Sequence, residues 1–136
     1  MKKYILFDLD GTLTDPMEGI CKSAARGLAH FGIKADYHDL TFFIGPPLLD
    51  TYRDRYGMND EQAREAVAAF REYFQPTGIY ENEIYPGIEE MLKELQDKGY
   101  FLAMATSKPE AFADIVLRHF HIRDYIKVMA GATMDE

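Results

Sequence analysis

Two aspartates one residue apart, Asp8 and Asp10, follow the short apolar run Tyr4-Ile5-Leu6-Phe7. In an extended chain alternate side chains share a face, so both carboxylates point the same way and Leu9 points away. Carboxylates this close do not both ionise cheaply without a cation. A hard cation with oxygen ligands, such as Mg2+, would relieve the repulsion. One carboxylate could then attack an electrophile while its neighbour moves protons. Gly11 would let the backbone approach a bound anion, and Thr12 and Thr14 add hydroxyls. The three-residue pattern alone reads equally well as a solvated pair in a strand-to-helix turn, and it also occurs in glycosyltransferases.

The elements that must position these residues follow from periodicity. Residues 4–7 read as a buried strand stopped at Gly11. Between 17 and 31, Ile20, Ala24, Leu28 and Phe31 recur at helical spacing, and Gly32 suits the position after the helix. Asp36 or Asp39 could cap a short helix reaching Phe43. Gly45-Pro46-Pro47 breaks it and starts another, residues 48–56, ended by Gly57. Asn59 is a good cap for a helix over 61–74, which stops before Pro76. Residues 80–85 read as a polar, irregular linker. An amphipathic helix with Ile88, Met91, Leu92 and Leu95 follows, closed by Gly99. Two further strands, residues 100–105 and 126–130, flank a helix over 111–120. Strands alternating with helices predict an α/β fold, a Rossmann-like parallel sheet with right-handed crossovers. The helical block 16–80 interrupts it as an inserted cap, leaving 1–15 and 81–136 as the α/β core. Both junctions lie near the carboxyl end of the first strand, where open α/β sheets bind ligands.

The longer string Tyr4-Ile5-Leu6-Phe7-Asp8-Leu9-Asp10-Gly11-Thr12-Leu13-Thr14-Asp15 resembles the first motif of the haloacid-dehalogenase-like phosphatases. Leu102-Ala103-Met104-Ala105-Thr106-Ser107-Lys108-Pro109 looks like that family's second motif, an apolar strand ending in Thr or Ser. The block 16–80 looks like its small helical cap. Phe43-Ile44-Gly45-Pro46-Pro47-Leu48 is similar to the cap loop of the phosphoglycolate-phosphatase-like branch. The resemblance implies Asp8 as the nucleophile that becomes an aspartyl phosphate, and Asp10 as the general acid and base. It also implies Mg2+ on the Asp8 carboxylate and the Asp10 main-chain carbonyl. The Thr106 hydroxyl and Ser107 amide would hold the phosphoryl oxygens, joined by the orphan amides of the helix that follows Thr106. Lys108 would approach the phosphate, or stand solvated near a helix start. Gly45 and Pro46 would touch the leaving group, or serve only as a helix break.

The resemblance also implies a later lysine and a later acidic pair, and neither motif is present. Lys127 sits inside the predicted third strand, a poor place to stand in for that lysine. Asp135 and Glu136 follow strand three, where the family uses a fourth strand. In the family's sheet strand one is central. Here it would be an apolar edge, and such edges recruit other chains. The expectation is that a missing C-terminal segment, or a second copy of the chain, covers strand one.

Composition limits the partners. Fifteen basic against 23 acidic side chains give a net charge of −8, which repels nucleic acid and anionic membranes at long range. Nine Phe and nine Tyr spread along the chain argue against disorder. The single cysteine, Cys21, permits no internal disulfide, and a reducing cytoplasmic location is expected. Lys22 and Arg26 lie one turn apart and would meet an anionic substrate or form a solvated face. The leading expectation is a Mg2+-dependent phosphatase for a small phosphorylated metabolite, phosphoglycolate-like or a nucleoside monophosphate. The alternatives are a phosphomutase of the same superfamily and a non-catalytic module that binds phosphate or protein.

Overall fold

The computed structural model describes residues 3–133. The chain divides into two compact units. One contains the residues up to Asp15 and those from Glu83 onward, and the other is Pro16–Asn82.

The first unit is built on a parallel sheet. Strand β1 (Tyr4–Phe7) leads into a tight turn in which the Leu9 carbonyl accepts from the amides of Thr12, Leu13 and Thr14. Gly11 closes that turn at φ +81°, a conformation that favours glycine, and its amide donates to the Thr14 carbonyl at 2.7 Å. Leu9 and Leu13 are fully buried and anchor the turn. Strand β2 (Thr14–Asp15) then leaves this unit for the helical one.

The helical unit holds α1 (Met17–Ala29), α2 (Leu48–Tyr56) and α3 (Asp60–Phe74). Helix α1 packs on α3, with Ala24, Leu28, Ala63 and Ala66 all fully buried. Tyr52 enters the same core, and its hydroxyl donates to the Ala24 carbonyl at 3.1 Å. Helix α2 ends at left-handed Gly57. Asn59 begins α3 with a reciprocal cap: its side chain accepts from the Gln62 amide at 2.8 Å, and Gln62 accepts from the Asn59 amide at 3.0 Å. The short helix expected up to Phe43 is instead two single 3-10 turns, Tyr37–Asp39 and Thr41–Phe43. Asp36 caps the first by accepting from the His38 amide, and Leu40 is the hinge between them.

The chain returns through a 3-10 turn, Gly78–Tyr80, and strand β3 (Glu83–Ile84). The segment read as an irregular linker therefore carries order. Strand β3 pairs antiparallel with β2, placing Asp15 opposite Glu83. Helix α4 (Ile88–Asp97) leads into β4 (Phe101–Pro109), and α5 (Glu110–His119) connects β4 to β5 (Val128–Ala132). The sheet order is β1-β4-β5, all parallel, with Tyr4 opposite Phe101 and Ala103 opposite Val128. Leu102 and Met104 are buried, while Tyr4, Leu6 and Val128 on the opposite face are 70%, 68% and 54% exposed.

Two strand boundaries differ from the sequence expectation. Strand β4 runs on to Pro109 rather than ending at Ala105, because Pro109 pairs with Ala132 after an irregularity between Ala105 and Pro109. Strand β5 begins at Val128, so Lys127 lies before it, and its ammonium donates to the Asp124 carbonyl.

Candidate active site

Residues from two neighbouring parallel strands meet at their carboxyl ends. Asp8 and Asp10 follow β1, and Thr106, Ser107 and Lys108 occupy the irregular end of β4. Irregularities of this kind re-aim side chains beside a site. Here the result is a buried ion pair: Lys108 Nζ stands 3.4 Å from Asp10 Oδ1, with side chains only 5% and 11% exposed. Asp8 is exposed, and its Oδ1 accepts from the Leu9 amide at 2.7 Å. The aspartates thus share a neighbourhood but not an environment.

Burial sets the proton chemistry of Asp10. Burial pushes the Asp10 carboxyl above the usual carboxylate range, the Lys108 ammonium opposes this, and nearby Asp8 adds to the rise. A carboxyl raised by burial is suited to carrying a proton, whereas an exposed one suits attack.

The backbone around Lys108 is fixed from three sides. The Thr106 hydroxyl accepts from the Lys108 amide at 3.1 Å. Pro109 follows at φ −52°. Gly131 of β5 passes so close that an added Cβ would lie 2.9 Å from the Lys108 carbonyl oxygen and 2.8 Å from the Glu110 amide nitrogen. Gly131 is the supporting residue that sequence reasoning missed. Its signal was a glycine inside an apolar strand, which marks close backbone approach. Helix α5 starts at Glu110, one residue ahead of the expected 111, so its first amides follow Pro109.

Gly45 and Pro46 belong to the helical unit, where they form an exposed loop tip with Gly45 at φ +108°. In that unit Lys22 is engaged by Glu18 at 2.7 Å and Glu81 at 3.2 Å, and Arg26 lies over the Tyr73 ring. Cys21 is buried, as a small apolar residue would be.

Asp8 supplies a carboxylate of the type a hard cation prefers, and Mg2+ is commonly held by one or two carboxylates with retained water and substrate phosphate. This donor set fits such an ion. Among the described residues no three His, Cys, Asp or Glu side chains gather as a complete metal cluster. Asp135 and Glu136 lie outside the described residues. Among those described, no helix is long and apolar enough to cross a membrane.

Comparison with known proteins agrees with this fold. The chain is 48% identical over 132 residues to a 5'-nucleotidase of Pseudomonas aeruginosa, covering 96% of this chain and 60% of the relative. It is 42% identical to the tyrosine-protein kinase PtkA of Mycobacterium tuberculosis, covering 98% of this chain and 45% of the kinase. A phosphoglycolate phosphatase of Vibrio vulnificus is 32% identical, with 98% and 63% covered. The crystal structure of a predicted phosphatase from Clostridium acetobutylicum superposes with a TM-score of 0.95 at 42% identity, covering 99% of this chain and 63% of that one. The chain thus spans roughly half to two thirds of the length of these relatives. Residues 5–135 match the family described as haloacid dehalogenase-like hydrolases, and the chain belongs to that family.

Proposed function

We propose that this chain carries the phosphoryl-transfer centre of a Mg2+-dependent phosphatase acting on a small phosphate monoester, with a nucleoside monophosphate as the favoured substrate. The observation that carries the reading is the pairing of an exposed Asp8 with a buried Asp10 beside the Thr106–Lys108 segment. The substrate preference rests on higher identity to a 5'-nucleotidase, 48%, than to a phosphoglycolate phosphatase, 32%.

In the proposed reaction, an Asp8 carboxylate oxygen attacks phosphorus and the bond from phosphorus to the ester oxygen breaks. Asp10 gives its proton to the departing oxygen, so the alcohol leaves neutral. Asp10 then takes a proton from a water that attacks the same phosphorus. The bond from phosphorus to the Asp8 oxygen breaks, which releases phosphate and restores the carboxylate. The Thr106 hydroxyl and Ser107 amide face the phosphoryl oxygens as fixed donors, which lowers the barrier without reorganisation. Mg2+, held by the Asp8 carboxylate and the Asp10 main-chain carbonyl, would neutralise charge on the phosphoryl group when bound. In the same proposal the helical unit, residues 16–82, supplies substrate selection and protection from bulk water.

The test is Mg2+-dependent phosphate release from a panel of nucleoside monophosphates, phosphoglycolate and sugar phosphates, run beside Asp8→Asn. Turnover that disappears in Asp8→Asn supports the reading, and turnover that survives the substitution refutes it. A second reading, transfer to a protein tyrosine, has the 42% identity to a tyrosine-protein kinase in its favour. Phosphotyrosine formation without free phosphate would select it.

A further inference from the structure

We propose that Lys108 is a positioning residue whose ammonium group aims the Asp10 carboxylate, rather than a ligand of the transferred phosphoryl group. The proposal rests on the phosphatase reading above, which places proton transfer on Asp10.

Lysine is almost never fully buried unless paired, because a desolvated ammonium is costly. Lys108 is buried, and the structure places Asp10 Oδ1 3.4 Å from its Nζ. Several independent features also restrain the Lys108 backbone. The Thr106 hydroxyl fixes the Lys108 amide, Pro109 fixes the following φ, and the missing side chain of Gly131 lets β5 press against the Lys108 carbonyl. A lysine meant to follow a mobile substrate would gain little from such restraint. One that must hold another side chain within a fraction of an ångström gains from all of it, because a misplacement of about 1 Å can cost about 100-fold in rate. Asp10 has a matching need. Its turn is anchored by buried Leu9 and Leu13, and the Lys108 ammonium is the charged group that faces its carboxylate.

A double-substitution cycle on the full chain tests this. Wild type, Lys108→Met, Asp10→Asn and the double variant are compared for kcat, KM, inorganic phosphate affinity by calorimetry, and melting temperature. Lys108→Met is expected to lower kcat about 100-fold, with KM and phosphate affinity held within about threefold. Lys108→Arg should recover part of that kcat, since the positive charge is kept. In the Asp10→Asn background, Lys108→Met should cost no further kcat, because the carboxylate it aims is gone. Each single substitution should lower the melting temperature, and the double should recover part of the loss.

A phosphate affinity that falls tenfold or more in Lys108→Met, and falls equally in the Asp10→Asn background, overturns the proposal and assigns Lys108 to the phosphoryl group. If no chain turns over any ester, the phosphatase reading fails while the melting cycle still decides about the pair. Additive losses would overturn the Lys108–Asp10 assignment, and partial recovery would support it.

Discussion

A methyl group on Gly19 would sit 1.8 Å from the carbonyl oxygen of Gly78. That oxygen and the Glu81 carbonyl oxygen, 3.0 Å from the same methyl, are both backbone, so neither can rotate away. The Gly19 amide donates to the Glu81 carbonyl at 3.0 Å, and the Ser23 hydroxyl donates to the Gly19 carbonyl at 2.6 Å. This close approach fastens the start of α1 to the returning chain. Gly19→Ala is therefore expected to lose about 3 kcal/mol of stability, seen as a fall of about 10 °C in Tm. Gly99 offers a control. It has φ +89° but open space around a Cβ, so Gly99→Ala should cost only about 1–2 kcal/mol. Equal losses at the two positions would contradict the contact.

Tyr52 links the helical core to the alkaline side of the stability curve. Burial, with nearby Tyr56 adding to it, pushes its hydroxyl far above the ordinary tyrosine range. Its folded pKa is raised, so its full contribution is present below the unfolded value of about 10 and fades as pH climbs beyond that. Tyr52→Phe should cost about 1 kcal/mol at pH 7 by leaving the Ala24 carbonyl without its donor. It should also flatten the decline between pH 10 and 11 measured by urea unfolding. An unchanged alkaline slope would count against a buried, protonated hydroxyl.

Thr106 holds the Lys108 amide through its oxygen, so its hydroxyl proton can face a bound anion. Thr106→Val removes both functions and is expected to lower kcat/KM about 100-fold. Thr106→Ser keeps the hydroxyl and should stay within about tenfold of the unmodified chain. A loss confined to Thr106→Ser, with Thr106→Val as active as the unmodified chain, would indicate that the methyl group, not the hydroxyl, matters.

Asp114 on α5 accepts from Arg118 Nε at 2.8 Å and Arg123 Nε at 2.7 Å. Hydrogen bonds from Arg118, then Arg123, hold its carboxyl below the usual range. A depressed folded pKa gives stability that is present above the unfolded value of about 3.9 and lost as pH falls through the folded one. Asp114→Asn should cost about 0.5–1 kcal/mol at pH 7, modest because solvent screens the pair. The gap between the two proteins should close between pH 4 and pH 2. A gap that persists at pH 2 would assign the loss to packing.

The legibility of the fold followed the range of the interactions that make it. Asn59, Gly57 and Gly99 act on adjacent residues, so helix ends were readable from the chain itself. Asp8-Leu9-Asp10 was readable for the same reason. Strands β2 and β3 were not, because two-residue strands exist only through pairing between Thr14–Asp15 and Glu83–Ile84. Pro109 reads locally as a break, yet its pairing with Ala132 draws β4 onward. Lys108 was legible as a residue near the site but not as a partner of Asp10. That contact depends on two strands lying side by side, which no local pattern states. The two 3-10 turns around Leu40 were missed because their residues lack any helical period.

The pairing of Asp15 with Glu83 places the departure and return of the chain next to each other. Everything between them is therefore a closed excursion, tied at its base by one small ribbon. Chain closure depends only weakly on loop length, about 0.6 kcal/mol for each doubling, so the sheet is nearly indifferent to what it carries there. An excursion of another size, or a tight turn of a few residues, could be grafted across the same two positions. Asp8 and Asp10, proposed above as the catalytic pair, lie upstream of that junction and the Thr106–Lys108 segment lies well downstream. On the proposed reading, the chemistry and the part that selects the substrate can thus be exchanged separately.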